Sequence, residues 1–181
     1  MLDIKTIIDY FADMDQYLER KIDICILGGC FFVLRRLKPA SPDLDIIVEG
    51  KDYTPVLKIV DILKKKYKFS VDILTDRWLE NIQLPRNYMK RARRYRRYRR
   101  RFSHIRLWTL SIYDIIISKI YRWEKKDVDD VNILVSHYRV FRHKLERRIN
   151  KCHILNKRHF DKNLDEFYRL FGSKLKEKVW F

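Results

Sequence analysis

"LGGCFFVLRRLKPASPDLDIIVEG" spans residues 27–50, and the rest of the chain is read from it. Gly28 and Gly29 close an apolar run, "CFFVLRRL" has the makings of a short helix, and Pro39 and Pro42 break it. Asp43 and Asp45 then open a second apolar run. In "DLDIIVE" the period of 2 puts Asp43, Asp45 and Ile47 on one strand face and Leu44, Ile46 and Val48 on the other. The two carboxylates therefore point the same way, roughly 7 Å apart along the strand. Like charges so placed repel unless a cation stands between them. Mg²⁺ binds through one or two carboxylates plus substrate phosphates, which suits such a pair. Glycines let a backbone approach a ligand closely, and a following helix aims free N–H groups at an anion. Taken singly, a diglycine is an ordinary strand-to-helix turn and an acid at a strand start is an ordinary solvated edge residue. No Gly-Lys-Ser/Thr follows, so this is not a Walker A loop, and the third glycine of a Rossmann fingerprint is missing.

Outward from this stretch, Ile4, Ile7, Ile8, Phe11, Met14 and Leu18 follow a 3.6 period and predict a helix over 2–18. "IDICIL" (22–27) reads as a strand, and a helix is expected from about Pro55 to Tyr67. "KFSVDIL" (68–74) reads as a third strand, with Asp72 the one acid in an apolar run. If the two Asp-bearing strands are neighbours, three carboxylates converge. Residues 76–90 suggest a helix and a turn around Pro85, and "IRLWTL" a fourth strand. Ser111, three residues before Asp114, fits a variant capping box for a helix running to about Trp123. A further helix is expected from Asp127 through Val135, then helical sequence broken near 152–156. Strands mixed with helices followed by helices alone argue for an α+β protein with a mixed sheet flanked by helices. The expected division is a core over 1–110, with the basic segment 86–106 included, and a C-terminal helical annex over 111–181.

The chain has 181 residues and a formal net charge of +17. Residues 86–106, "RNYMKRARRYRRYRRRFSHIR", hold 11 Lys or Arg and no acid, leaving 30 basic against 24 acidic residues elsewhere, a net +6. Such a block points to a polyanion, most often nucleic acid. Membrane-surface binding would need a matching apolar face of Leu or Trp, which the block lacks. Tyr88, Tyr95, Tyr98 and Phe102 would form one aromatic stripe on a helix. Eight arginines in close sequence repel each other, so the segment could instead order only on a polyanion. Arg93, Arg94, Arg96, Arg97, Arg99, Arg100 and Arg101 are the candidate phosphate contacts, with Tyr95 and Tyr98 as stacking platforms. The plainer reading packs the aromatics on a core and leaves the arginines in water.

No apolar run is long enough to span a membrane, and the acids and helical spacing of "MLDIKTIIDYFADMD" are unlike a secretory leader. Three cysteines without metal-type spacing read as reduced thiols in a cytoplasmic protein. Lys119 sits on the apolar stripe formed by Ile112, Ile115, Ile116 and Trp123. A lysine there needs a partner, unless it snorkels from the stripe's edge.

The glycine pair, the short helix, Asp-x-Asp on the next strand and a lone Asp on a third resemble the nucleotidyltransferase fold of the polymerase-beta type. With "GG" in place of "GS", they are similar to the group that includes AbiEii-like and MenT-like toxins and uncharacterised relatives. "LWTLSIYDIIISKIYRWEKKDVDDVNILV" (107–135) is similar to the family's later strand, Lys-bearing helix and acidic turn. The resemblance implies that Gly28, Gly29 and Ser41 hold the triphosphate and that Asp43, Asp45 and Asp72 bind Mg²⁺ or Mn²⁺. Asp72 would alternatively be the base for the attacking hydroxyl. Lys119 would contact the nucleotide's phosphates, and Asp127 and Asp130 fall on later acidic positions of the family. Two positions depart from the pattern: Pro39 stands where the family often has Arg, and Cys30 where it has Ser, Thr or Ala. The implied activity is metal-dependent transfer of a nucleotide from an NTP to an acceptor hydroxyl on RNA, tRNA-like in character. A toxin-type enzyme with an antitoxin-type protein partner is one version of it. The alternative is a catalytically idle fold used to bind nucleic acid or a partner.

Overall fold

The computed structural model describes residues 1–75, 84, 85 and 87–177. They fall into two compact units, one holding residues 1–75 and 89–110, the other residues 84, 85, 87, 88 and 111–177. The protein is α+β, as its pattern of elements predicts.

The first unit opens with α1 (Ile4–Asp15), capped by the Asp3 carboxylate, which accepts from the Thr6 N–H at 2.7 Å. Then follow β1 (Ile22–Ile26), α2 (Gly28–Leu34), β2 (Leu44–Val48), α3 (Gly50–Leu63), β3 (Val71–Thr75), β4 (Arg93–Arg94) and β5 (Ile105–Thr109). The strands form one mixed sheet in the order β3-β2-β1-β5-β4. β1 runs antiparallel to β2 and parallel to β5; β3 is parallel to β2, and β4 antiparallel to β5. One face carries Ile22, Ile24, Ile26, Leu44, Ile46, Val48, Ile105 and Leu107. It shares a single core with Ile7, Ile8, Phe11 and Met14 of α1 and with Val56, Ile59, Val60 and Leu63 of α3. The strict alternation in β1 and β2 is what buries those side chains on one side. The strand directions bring the C-terminal ends of β1 and β5 together with the N-terminal ends of β2 and β3. That end of the sheet carries the glycines and the first aspartates.

Three elements depart from expectation. α2 starts at Gly28 itself, ahead of the apolar run. α3 starts at Gly50, with Pro55 inside it; proline favours helix starts, but here its missing N–H costs one bond within an already formed helix. The basic segment is not a helix. Arg93 and Arg94 pair with Thr109 and Trp108 as a short edge strand, and Arg99–Arg101 form a single 3-10 turn. The β5 edge offers partners for that backbone, as in the Tyr95 N–H to Leu107 C=O bond of 2.8 Å. An extended path also separates arginines that a helix would stack one turn apart. Tyr95, Tyr98 and Phe102 pack against the core, while all the arginines from 93 to 101 are exposed. The helix expected over 76–90 lies for the most part outside the described residues.

The far end of the basic segment is fastened by one carboxylate. Asp15, buried at the C-terminus of α1, accepts from the N–H groups of Ser103, His104 and Ile105 at 2.7, 2.8 and 2.6 Å. Arg101 adds a bond to Asp9 at 2.8 Å.

The second unit holds α4 (Ile112–Arg122), α5 (Lys125–His137), α6 (Arg142–Ile149) and α7 (Lys157–Phe171). Ser111 caps α4 and donates to the Asp114 carboxylate at 2.7 Å, the capping box variant anticipated above. Asp114 is also gripped by Arg148 of α6 through two bonds of 2.6 and 2.9 Å. Asn163 of α7 donates to the Ile120 carbonyl at 2.9 Å. Among the described residues no helix is long and apolar enough to cross a membrane.

Asp15→Ala is expected to strand three backbone N–H groups and to lower stability by about 2–4 kcal/mol. Urea denaturation checks this; the midpoint falls, with amides 103–105 losing hydrogen-exchange protection first.

Candidate active site

Asp45 and Asp72 stand level with each other on adjacent strands, in the register Leu44 to Val71, Asp45 to Asp72. Asp43, expected inside the strand, lies in the bend just ahead of β2, two residues before Asp45. The two Asp-bearing strands are neighbours, a relation that neither segment's own pattern reveals.

The N-terminus of α2 lies over the start of β2. The Leu27 N–H donates to the Asp45 carbonyl at 3.2 Å, which fixes the level at which the chain leaves β1. Gly28 then takes φ = +58°, a conformation that costs other residues about 1–2 kcal/mol. A Cβ added there would overlap Asp45 Oδ2 and lie 2.8 Å from its Cγ. A Cβ at Gly29 would overlap Ser41 Oγ and lie 3.9 Å from Asp43 Oδ1. The diglycine and the two aspartates, 14 residues apart or more in sequence, are thus one surface.

Two further contacts hold it. Ser41 is pinned by a two-way backbone bridge to Leu2, at 2.6 and 3.0 Å, and its hydroxyl donates to Asp43 Oδ1 at 3.3 Å. Cys30 donates its S–H to the Asp43 carbonyl at 3.1 Å. Burial pushes this thiol up to about 12, and the Asp45 and Asp43 carboxylates push the same way, so it stays protonated and remains a donor. Cysteine therefore ties α2 to β2 here, a task that alanine could not do.

The donor set fits a hard divalent cation in kind: the Asp43 and Asp45 carboxylates beside the glycines, with Asp72 level with Asp45 on the next strand. Among the described residues no three His, Cys, Asp or Glu side chains stand close enough around one point to hold an ion by themselves. Asp72 is exposed, while Asp43 and Asp45 are half-buried.

At the same end of the sheet, the Thr109 hydroxyl accepts from Arg35 at 2.9 Å and donates to the Arg93 carbonyl at 3.4 Å. This links the end of α2 to β4. Nothing in the sequence singled out Arg35, which reads as one more surface arginine.

Lys119 belongs to the second unit. It is 7% exposed, and its Nζ lies 2.9 Å from Asp127 Oδ1 and 2.7 Å from Asp130 Oδ2. The partner that a buried lysine requires is therefore a pair of acids on α5. Arg122 makes two more bonds to Asp127, at 2.7 and 2.6 Å. Burial alone would raise the Asp127 carboxyl; bonds from Arg122 and then Lys119 overcome it and hold the group at about 2.

A family model described as "Nucleotidyltransferase of unknown function (DUF6036)" matches residues 4–176. The chain belongs to this family. The match reaches the nucleotidyltransferases and does not single out AbiEii-like or MenT-like toxins among them. Searches of curated proteins and of solved structures find no match.

Two outcomes follow. Gly28→Ala forces a left-handed alanine against Asp45, so thermal unfolding is expected to fall by several degrees and any activity of the site to vanish. Asp127 has a depressed pKa, so its contribution is whole above about pH 4 and is lost as pH falls from there through about 2. Asp127→Asn is expected to flatten this acid limb and to cost on the order of 2 kcal/mol at pH 7, read from denaturation curves at a series of pH values.

Proposed function

We propose that this nucleotidyltransferase moves a nucleotide from an NTP to an acceptor hydroxyl on RNA, with a divalent cation, Mg²⁺ or Mn²⁺, at Asp43 and Asp45. The observation that carries this reading is the close approach of Gly28 to Asp45, with Gly29 against Ser41 and Asp43 beside them. A surface stripped of side chains next to two carboxylates suits a triphosphate and its counter-ions. Such a cation, when bound, neutralises phosphate charge and lowers the pKa of an oxygen nucleophile. Asp43 and Asp45 would hold it, and Asp72, level with Asp45, would complete its shell or take the proton of the attacking hydroxyl. Gly28 and Gly29 let the backbone meet the phosphates, and the Ser41 hydroxyl keeps Asp43 oriented.

Lys119 has its ammonium between two acids, so its service to a nucleotide would be indirect, through the α4–α5 pair it fixes. The acceptor is assigned to RNA because Arg93–Arg101 and the tyrosines Tyr95 and Tyr98 border the β5 side of the same sheet. A cytoplasmic setting and pairing with an antitoxin-type protein are consistent with this reading.

The test is incubation with Mg²⁺, each radiolabelled NTP and total RNA. Wild type is expected to label RNA, and Asp43→Asn and Asp45→Asn to lose roughly 100-fold or more. Chelation should abolish labelling and added Mg²⁺ restore it. RNA binding without transfer under every NTP would instead leave the idle, nucleic-acid-binding fold as the function.

A further inference from the structure

The open edge of β5, beyond the short β4, carries a cavity of about 300 Å³. Its cationic lining is Lys21, Arg94, Arg99 and Arg106, and its aromatic lining is Tyr95 and Phe102. These cations differ in status. Arg106 is fastened to Asp23 by two bonds of 2.8 and 2.5 Å, and the Trp108 indole donates to the same carboxylate at 2.6 Å. Among the described residues no carboxylate pairs with Lys21, Arg94 or Arg99. Three uncompensated cations around one concavity create a positive field that an anion would relieve. The cavity is already formed, since Asp15 holds 103–105, the Tyr95 N–H bonds Leu107, and Phe102 packs on the core.

The Arg94 wall of this cavity is placed relative to the aspartates by the register; Ile105 and Leu107, also in its lining, lie on the core side of β5. Arg94 pairs with Trp108, Trp108 with Cys25, and Cys25 with Ile47. Ile47 shares a strand face with Asp45, so Arg94 and Asp45 emerge from one face of the sheet. Three strand spacings and two residues along β2 separate them, roughly 16 Å in all. That is too far for one nucleotide's phosphates to reach both and close enough for neighbouring parts of one strand.

We propose that this cavity seats one nucleotide of the acceptor, a single-stranded RNA, upstream of its reacting end. A backbone phosphate sits among Lys21, Arg94 and Arg99, and a base lies against the Tyr95 side of the wall. Arg93, Arg96, Arg97 and Arg100 lie outside the cavity and supply a diffuse field. A concavity at the small end of ligand sites takes an unstacked nucleotide and excludes a duplex. The proposal rests on the transfer reading above for the word acceptor; the seat itself is tested without it.

Fluorescence anisotropy with a labelled 12-nucleotide oligouridine measures binding without NTP. Four probes are compared over a range of salt: this strand, a matched RNA duplex, an abasic strand of equal length, and inorganic polyphosphate as competitor. The single strand is expected to bind tightest, with the abasic strand weaker by about tenfold, the value of one stacked base. The triple variant Lys21→Ala, Arg94→Ala, Arg99→Ala should lose at least tenfold at every salt and lose the preference for bases. The triple variant Arg96→Ala, Arg97→Ala, Arg100→Ala should weaken binding at low salt, with a shallower salt slope, and keep that preference. Equal losses in both triples, duplex binding as tight as single strand, or polyphosphate competing as well as RNA would each overturn the seat. Circular dichroism of both triples guards against unfolding, which these exposed positions should not cause. The two readings fail separately. Binding as expected with no transfer by wild type sinks the enzyme and keeps the seat. Transfer undiminished in the cavity triple sinks the seat and keeps the enzyme.

Discussion

Everything about the candidate site depends on how closely the Gly28 backbone approaches the Asp45 carboxylate. No side chain fits between them, and the left-handed backbone at Gly28 disfavours one independently. The approach follows from topology. β1 and β2 are antiparallel neighbours, so the chain leaves β1 at the level where it enters β2. Leu27 bonding to Asp45 and Cys30 bonding to Asp43 then hold the first turn of α2 over that entry. Even the N-terminus contributes, since Leu2 clamps Ser41 and so places the hydroxyl that faces Gly29. The core below sets the level of these contacts, because Leu44, Ile46 and Val48 can be buried in only one register.

How much of this was legible in the sequence varies with the strength of the pattern. β1, β2 and β5 alternate cleanly, and α1 and α4 keep a helical period, so each was found to within a few residues. β4 was invisible, because two arginines on a sheet edge carry no apolar alternation. The tyrosines that pack beside it happen to have helical spacing. α3 lost its first turn to the pull of Pro55 as a start signal. In the site, Gly28, Gly29, Asp43 and Asp45 were legible as a set. The level pairing of Asp45 with Asp72 was not, since strand order is a property of the whole sheet. Lys119 announced its need of a partner. Naming Asp127 and Asp130 required the reversal at Trp123, which takes φ = +53° without being glycine.

The chain uses its carboxylates in two distinct ways. Asp15, Asp114 and Asp127 are buried, and each takes several hydrogen bonds, so their charge is spent on holding loops and helices in place. Asp43 and Asp72 stand at the end of a sheet with far less around them. The arginines divide similarly. Arg101 and Arg106 are tied to Asp9 and Asp23, while among the described residues Arg94 and Arg99 have no such partner. The acids that fasten the basic segment sit at its C-terminal end, so they fix its path without neutralising the cations ahead of them.

That arrangement bears on how a polyanion would be held. A disordered arginine tract must lose backbone freedom on binding, about 1–2 kcal/mol for each residue fixed, and it grips any anion of similar charge. Here the loss has already occurred on folding, offset by Tyr95, Tyr98 and Phe102 entering the core and by Asp15 capturing three amides. Cations fixed in place can discriminate by shape as well as charge, because a ligand must match their spacing. Binding strength is then decided by a few positions around a concavity, and the remaining arginines serve mainly to speed and orient the approach. Arg94 places one wall of that concavity on the sheet face of Asp45, while Ile105 and Leu107 carry its lining round the β5 edge to the core side. The folding of the basic segment is therefore part of the same construction as the glycine–aspartate surface, since both are referenced to the register of β5 and β1.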